Sequence, residues 1–96
     1  DDMIDTGRTI VKAAEALKKN GAIGVVVAAT HAIFSPPAFD ILQSEFIDSV
    51  VVTDTLPVPE DKRWDRLTVL PIAPLIARAI HEVFDDGSVT SMFDGA

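Results

Sequence analysis

The chain predicts an α/β fold, a mostly parallel sheet flanked by helices, and three observations lead there. Helical and extended patterns alternate along the sequence, as they do where strands of a largely parallel sheet are joined by helices. Ile23 to Ala29 is a short apolar run without polar alternation, bounded by turn residues, the pattern of a strand buried on both faces. The hydrophobic content of 48% over 96 residues suffices for one packed domain.

Taken in order, the chain opens on Asp1-Asp2-Met3-Ile4-Asp5-Thr6-Gly7-Arg8-Thr9-Ile10, a turn leading into a helix over residues 9 to 20. Ile10, Ala13, Ala14 and Leu17 recur at helical spacing, Glu15 precedes Lys19 by one turn, and Lys18 and Lys19 complement the C-terminal dipole. Asn20-Gly21 is its stop signal. The strand Ile23 to Ala29 follows, then a loop from Thr30 to Ser35. Pro36-Pro37 sets up a second helix, with Ser35 as its cap and Ala38, Ile41, Leu42 and Phe46 as its apolar face. Val50-Val51-Val52 is the second strand. Residues 54 to 66 carry Pro57, Pro59 and a charged run, and read as an exposed loop. Leu67 to Leu70 is the third strand. Pro74 opens the last helix, whose Leu75, Ile76, Ala79, Ile80, Val83 and Phe84 are expected to face the core, and Asp85-Asp86-Gly87 ends it. Ser88 to Phe93 returns to strand-like character, at an edge.

The opening decapeptide is the stretch that carries chemistry. A Thr-Gly-Arg-Thr turn at a helix N-terminus can hold an anion on backbone N–H groups and hydroxyls. Asp1, Asp2 and Asp5 would repel a bare phosphate, but suit a ligand that also presents sugar hydroxyls or carries Mg²⁺. A phosphorylated sugar satisfies both ends. Read by spacing alone, the same residues also fit an acidic cap on an ordinary helix. Ligands of a parallel sheet lie beyond the carboxyl ends of its strands, which places this loop, Thr30-His31 and Thr53-Asp54-Thr55 on one rim. His31 reads as a structural hydrogen-bonding residue, and Thr53 to Thr55 as turn formers or rim contacts. Trp64 anchors its loop or a subunit contact, and the adjacent Glu60-Asp61-Lys62-Arg63 run is solvated.

Asp1-Asp2-Met3-Ile4-Asp5-Thr6-Gly7 resembles the phosphoribosyl-binding fingerprint of the phosphoribosyltransferase fold. With Ala29-Thr30-His31-Ala32-Ile33-Phe34-Ser35, Val52-Thr53-Asp54-Thr55-Leu56-Pro57 and Ser88-Val89-Thr90-Ser91-Met92-Phe93, it is similar to the ribose-phosphate pyrophosphokinase (phosphoribosyl pyrophosphate synthetase) family over essentially the whole chain. The family usually has a second Gly where this chain has Arg8, and often Asn where it has Asp54. Family members are several times longer, so the resemblance implies a C-terminal fragment. Residues 1–96 would be the C-terminal part of one three-layer, phosphoribosyltransferase-like domain, truncated at its N-terminal side and beginning at the ribose-5-phosphate loop.

The resemblance implies transfer of diphosphate from ATP to ribose 5-phosphate, giving phosphoribosyl pyrophosphate and AMP. Asp1 and Asp2 would hold the ribose hydroxyls, and Asp5, Thr6, Gly7, Arg8 and Thr9 would wrap the 5-phosphate. Arg8 leaves two readings open, a guanidinium contact to phosphate or a solvent-facing side chain. A family Gly at that place could require positive φ, which Arg resists unless the backbone there is already helical. Ser88, Thr90 and Phe93 correspond to the family's regulatory phosphate segment, or form a plain edge strand. No catalytic residue and no metal-ligand set is assigned within the chain. The family's Mg²⁺ ligands, ATP site and basic loop lie mostly upstream. The expected assembly is a homo-hexamer built from dimers. Two alternatives share the loop: a type I phosphoribosyltransferase, and a non-catalytic regulatory relative that binds sugar phosphate. Upstream sequence discriminates all three.

A formal charge of −7 argues against a nucleic-acid surface. With no cysteine, neither a disulfide framework nor a thiolate metal site is available. No run approaches the roughly 18 apolar residues that span a bilayer, so no membrane partner and a cytoplasmic location are expected. A carboxylate pair of this kind normally hangs on the end of a preceding apolar strand, and none precedes it here. The expectation is therefore that these residues alone are poorly stable.

Overall fold

The computed structural model describes residues 1–85. Its main sheet has three parallel strands in the order β2 (Val26–Ala29), β4 (Ser49–Thr53) and β5 (Leu67–Leu70), numbered with the two short strands described next. Val27 stands opposite Val50, and Val52 opposite Val69. The short strand β3 (His31–Ala32) continues β2 after Thr30, and β1 (Met3–Ile4) runs parallel beside it, with Met3 opposite His31 and Ile4 opposite Ala32. Backbone bonds from the Asp1 nitrogen to Ala28 O at 2.8 Å, His31 N–H to Asp2 O at 2.9 Å and Ile33 N–H to Ile4 O at 3.0 Å fasten the opening segment along residues 28–33. Parallel α/β architecture is thus as expected, and one reading is corrected. The stretch Thr30–Ser35, read as a loop, contains β3, which pairs with the short strand β1 lying just after the carboxylate pair. Strands of two residues are too short to show a period.

Helix α1 (Arg8–Lys19) and the single turn α2 (Ala38–Ile41) cover one face of the sheet. The core gathers Ile4, Ala14, Val25, Ala29, Ala32, Ala38, Leu42, Ile47, Val50, Val52 and Val58. Alternation explains the membership: Val50 and Val52 of β4 are fully buried, whereas Ser49, Val51 and Thr53 are only partly so. On α1 the inward stripe is Ile10, Val11 and Ala14, and the expected Ala13 and Leu17 are exposed, because the helix is rotated by about one position from that reading.

The opposite face is uncovered by the described residues. Ile23 and Val26, expected to be buried on both sides, are 99% and 66% exposed. Helix α3 (Ala73–Phe84) forms where expected, with Pro74 in its first turn, but buries no residue. Its Leu75, Ile76, Ile80, Val83 and Phe84, assigned to the core by periodicity, stand exposed, and Ala79 is half-buried. Amphipathic spacing selects the apolar side of a helix, but a partner surface is needed to bury it.

The segment 54–66 is less exposed than its composition suggests. It contains a 3₁₀ turn, Glu60–Lys62, and buries Val58. Trp64 packs against Phe34 and Phe39, with ring centroids 6.1 Å and 5.9 Å away, so it anchors the loop. Arg66, the last residue of the stretch read as an exposed loop, is half-buried and donates to Ile47 O and Gln43 O, both at 2.8 Å. Ser88, Thr90 and Phe93 lie outside the described residues.

Candidate functional site

The loop between β1 and α1 is shaped by Gly7. It is the residue before the helix, with φ 83°, and its amide approaches α2 so closely that an added β-carbon would lie 2.6 Å from Leu42 Cδ2. Arg8 begins the helix itself, and Phe34 is the one non-glycine residue with positive φ among those described. Arg in place of the family's second Gly therefore meets no backbone strain. Arg8 is exposed and, among the described residues, forms no ion pair.

The N-cap residue of α1 is Gly7, which has no side chain to offer, and the one side-chain acceptor at the first turn among the described residues is Thr6 Oγ1, 3.5 Å from the Arg8 nitrogen. Four orphan N–H groups at a helix start need acceptors, and an anion serves. Asp5, Thr6, Gly7 and Thr9 line a depression of about 300 Å³ in front of that turn, together with Asp1, Met3, Ile4 and Ile10. Asp5 does not act as the cap. Its Oδ1 accepts the Ser35 hydroxyl, and its carbonyl accepts the Ser35 N–H at 3.1 Å. Ser35 was expected to cap α2, but its hydroxyl is taken by Asp5, and Pro37 stands at the cap position.

At the other end of the opening segment, Asp1 Oδ1 accepts the Asp2 N–H at 2.6 Å, and both carboxylates are exposed. Asp1 also lines a second depression, about 370 Å³, with Thr30, Thr53 and Leu70 at the carboxyl ends of the three main strands. Asp1 therefore stands where the loop before α1 and the strand ends meet, so the expected rim forms.

The remaining rim residues bond to one another and to the backbone. His31 Nδ1 is 2.7 Å from Thr55 Oγ1, and Thr53 Oγ1 donates to Thr30 O at 2.7 Å. Asp54 Oδ1 accepts the Ile72 N–H at 2.8 Å, leading the chain into α3. The Asn common at that place in the family offers the same acceptor oxygen. Among the described residues no three His, Cys, Asp or Glu side chains gather as a metal cage. Another depression, about 360 Å³ along α3, is lined by Ile76, Ala79, Ile80, Val83 and Phe84 and offers no polar group to orient a small ligand. No helix among the described residues is long and apolar enough to cross a membrane.

One carboxylate lies on the scaffold rather than the rim. Asp48 Oδ2 accepts the Val25 N–H at 2.6 Å while its own N–H donates to Val25 O at 2.9 Å, and Lys18 Nζ is 3.2 Å away. The Val25 N–H, then Lys18, holds the Asp48 carboxyl below the usual carboxylate range. This contact ties the C-terminal end of α1 to the entry of β2.

Residues 1–94 match the family model described as the phosphoribosyl synthetase-associated domain. The chain is 56% identical to a ribose-phosphate pyrophosphokinase of Streptomyces avermitilis over 94 residues, covering 98% of the chain and 29% of that relative. It is 52% identical to the corresponding protein of Mycobacterium leprae over 95 residues, covering 99% of the chain and 29% of that relative. The crystal structure of phosphoribosylpyrophosphate synthetase from Mycobacterium smegmatis superposes with a TM-score of 0.82 at 52% identity, over 91% of the chain and 29% of that protein. The chain thus spans under a third of the length of the relatives it matches.

Proposed function

Because the chain belongs to the phosphoribosyl synthetase-associated domain family, we propose that it is the ribose-5-phosphate-binding, C-terminal part of a ribose-phosphate pyrophosphokinase. The parent enzyme would transfer diphosphate from ATP to the anomeric hydroxyl of ribose 5-phosphate, yielding phosphoribosyl pyrophosphate and AMP. In this reading residues 1–96 complete, with upstream chain, one three-layer phosphoribosyltransferase-like domain whose second helical layer would cover Val26, Val51 and Leu70.

The observation that carries the proposal is the position of Asp1 between two depressions. A sugar phosphate laid across them would put its phosphate at the first turn of α1 and its hydroxyls at Asp1 and Asp2. Backbone N–H groups of the Asp5-Thr6-Gly7-Arg8-Thr9 loop and the hydroxyls of Thr6 and Thr9 would donate to the phosphate. The two carboxylates would accept from ribose hydroxyls. In-line displacement at phosphorus depends chiefly on positioning and charge neutralisation, and this chain would supply the positioning of the acceptor. Mg²⁺ neutralises phosphate charge in such a transfer, with ligands mostly outside this chain. Ser88, Thr90 and Phe93 are proposed as part of a regulatory anion site, and the parent as a cytoplasmic homo-hexamer of dimers. The relatives' shared name favours the pyrophosphokinase over the type I transferase.

Thr9→Val in the full-length parent tests the assignment. It removes one charge-assisted hydrogen bond, so the KM for ribose 5-phosphate should rise by the equivalent of roughly 1.5–3 kcal/mol, with little change in the KM for ATP. An equal effect on both constants in steady-state kinetics would sink it.

A further inference from the structure

We propose that Ser35 is a positioning residue for the anion loop, acting by drawing the Asp5 carboxylate away from the first turn of α1. The inference rests on the ribose 5-phosphate reading above and adds a specific competitor to it. Asp5 lies two residues before Gly7, the N-cap position, near enough in sequence for its carboxylate to be drawn to the positive end of the helix. Folded onto that turn, it would occupy the donors a phosphate needs and repel the phosphate as well.

The structure holds it elsewhere. Ser35 donates its hydroxyl to Asp5 Oδ1 and its N–H to the Asp5 carbonyl, the latter at 3.1 Å. Both ends of Asp5 are thereby turned toward the β3–α2 connection, and the first turn of α1 keeps only the long contact from the Arg8 N–H to Thr6 Oγ1, at 3.5 Å. Ser35 is itself aimed by two features. Phe34 adopts φ 49°, a left-handed conformation that a bulky residue enters only when its surroundings demand it. Its ring packs on Trp64, and the Ser35 carbonyl accepts the Ala38 N–H at 2.7 Å, which secures the turn from its other side. A hydroxyl donor thus reaches Asp5 from a segment 30 residues further along the chain. The cost of the Phe34 conformation has a use here: the chain reverses where Ser35 must face the loop.

The test uses the full-length parent enzyme. Ser35→Ala should raise the KM for ribose 5-phosphate about five- to tenfold, the scale of a helix cap competing for the same donors, while the KM for ATP stays within about twofold. Ser35→Thr, which keeps the hydroxyl, should behave as the parent. In an Asp5→Ala background the Ser35→Ala effect should vanish, because no carboxylate remains to be diverted. A purely structural Ser35 would instead give the same loss in both backgrounds, and that result overturns the proposal. Should Ser35→Ala fail to fold, Ser35→Cys, a weaker donor of similar shape, is read in its place, and a parent-like KM there also overturns it. Thr9→Val separates the two readings. Response to Thr9→Val without response at Ser35 removes only this inference, and no response at either position removes the loop assignment with it.

Discussion

Gly7 and Leu42 meet at a distance that only glycine allows, since a β-carbon on Gly7 would stand 2.6 Å from Leu42 Cδ2. The contact sets how far α2 approaches the loop before α1. It also couples the loop to the core, because Leu42 is fully buried.

Gly7→Ala is expected to damage both stability and substrate binding. The left-handed backbone at φ 83° costs an alanine about 1–2 kcal/mol, and the clash with a packed leucine adds about 1–3 kcal/mol. Thermal unfolding and the KM for ribose 5-phosphate of the parent enzyme should both worsen. Adding Leu42→Ala should relieve the clash but not the backbone strain, so binding recovers only in part. Parent-like behaviour of Gly7→Ala would show that the loop tolerates another conformation.

Asp48 gives a pH dependence whose sign is determined by its environment. Its folded-state pKa lies below the ordinary 3.8, through the Val25 N–H first and Lys18 next. Its contribution to stability is therefore present above the ordinary carboxylate value and is lost as pH falls through the lowered one. Asp48→Asn should melt below the parent at neutral pH, and the gap should close as pH drops beneath 3.8. Melting curves of both proteins across that range check it, and a gap independent of pH would contradict it.

Arg66 joins the carbonyls of Gln43 and Ile47 to the start of β5. Removing a charged donor from two carbonyls is worth about 1.5–3 kcal/mol for each bond to a charged group, less where solvent reaches the pair. Arg66→Ala should lower the denaturant midpoint without changing the KM values. Lysine cannot reproduce the planar fork, so Arg66→Lys should recover only part of the loss. Equal stability of Lys and Arg would indicate that one bond carries the contact.

The 96 residues as an isolated chain should melt broadly and release no AMP from ATP and ribose 5-phosphate. Ile23, Val26, Ile80, Val83 and Phe84 all stand mostly in solvent. Each such side chain forgoes roughly 1.5–3 kcal/mol of burial, against a typical domain stability of roughly 5–15 kcal/mol. Dye binding to exposed apolar surface should accompany the broad transition. A sharp monomeric transition, or turnover, would show that the chain is complete in itself.

The sequence by itself was enough to locate α1, β4, β5 and α3, because helical spacing, apolar runs and Pro or Gly punctuation are local signals. It also singled out the loop from Asp5 to Thr9 as the candidate site, on residue types that fit a phosphate as well as a plain helix start. The tertiary structure alone decided the rest. β1 and β3 exist only because Met3 and Ile4 meet His31 and Ala32, and two-residue strands have no pattern of their own. Asp5 and Ser35 were each legible as helix caps, yet they satisfy one another across 30 residues, a pairing that leaves no trace in either local stretch. Arg66 sat in a charged run and became a clasp once two carbonyls converged on it. The apolar sides of β2 and α3 were readable as apolar, but whether a side is buried depends on what packs against it. Local patterns report what a segment prefers, and contacts between distant segments decide which preferences are met.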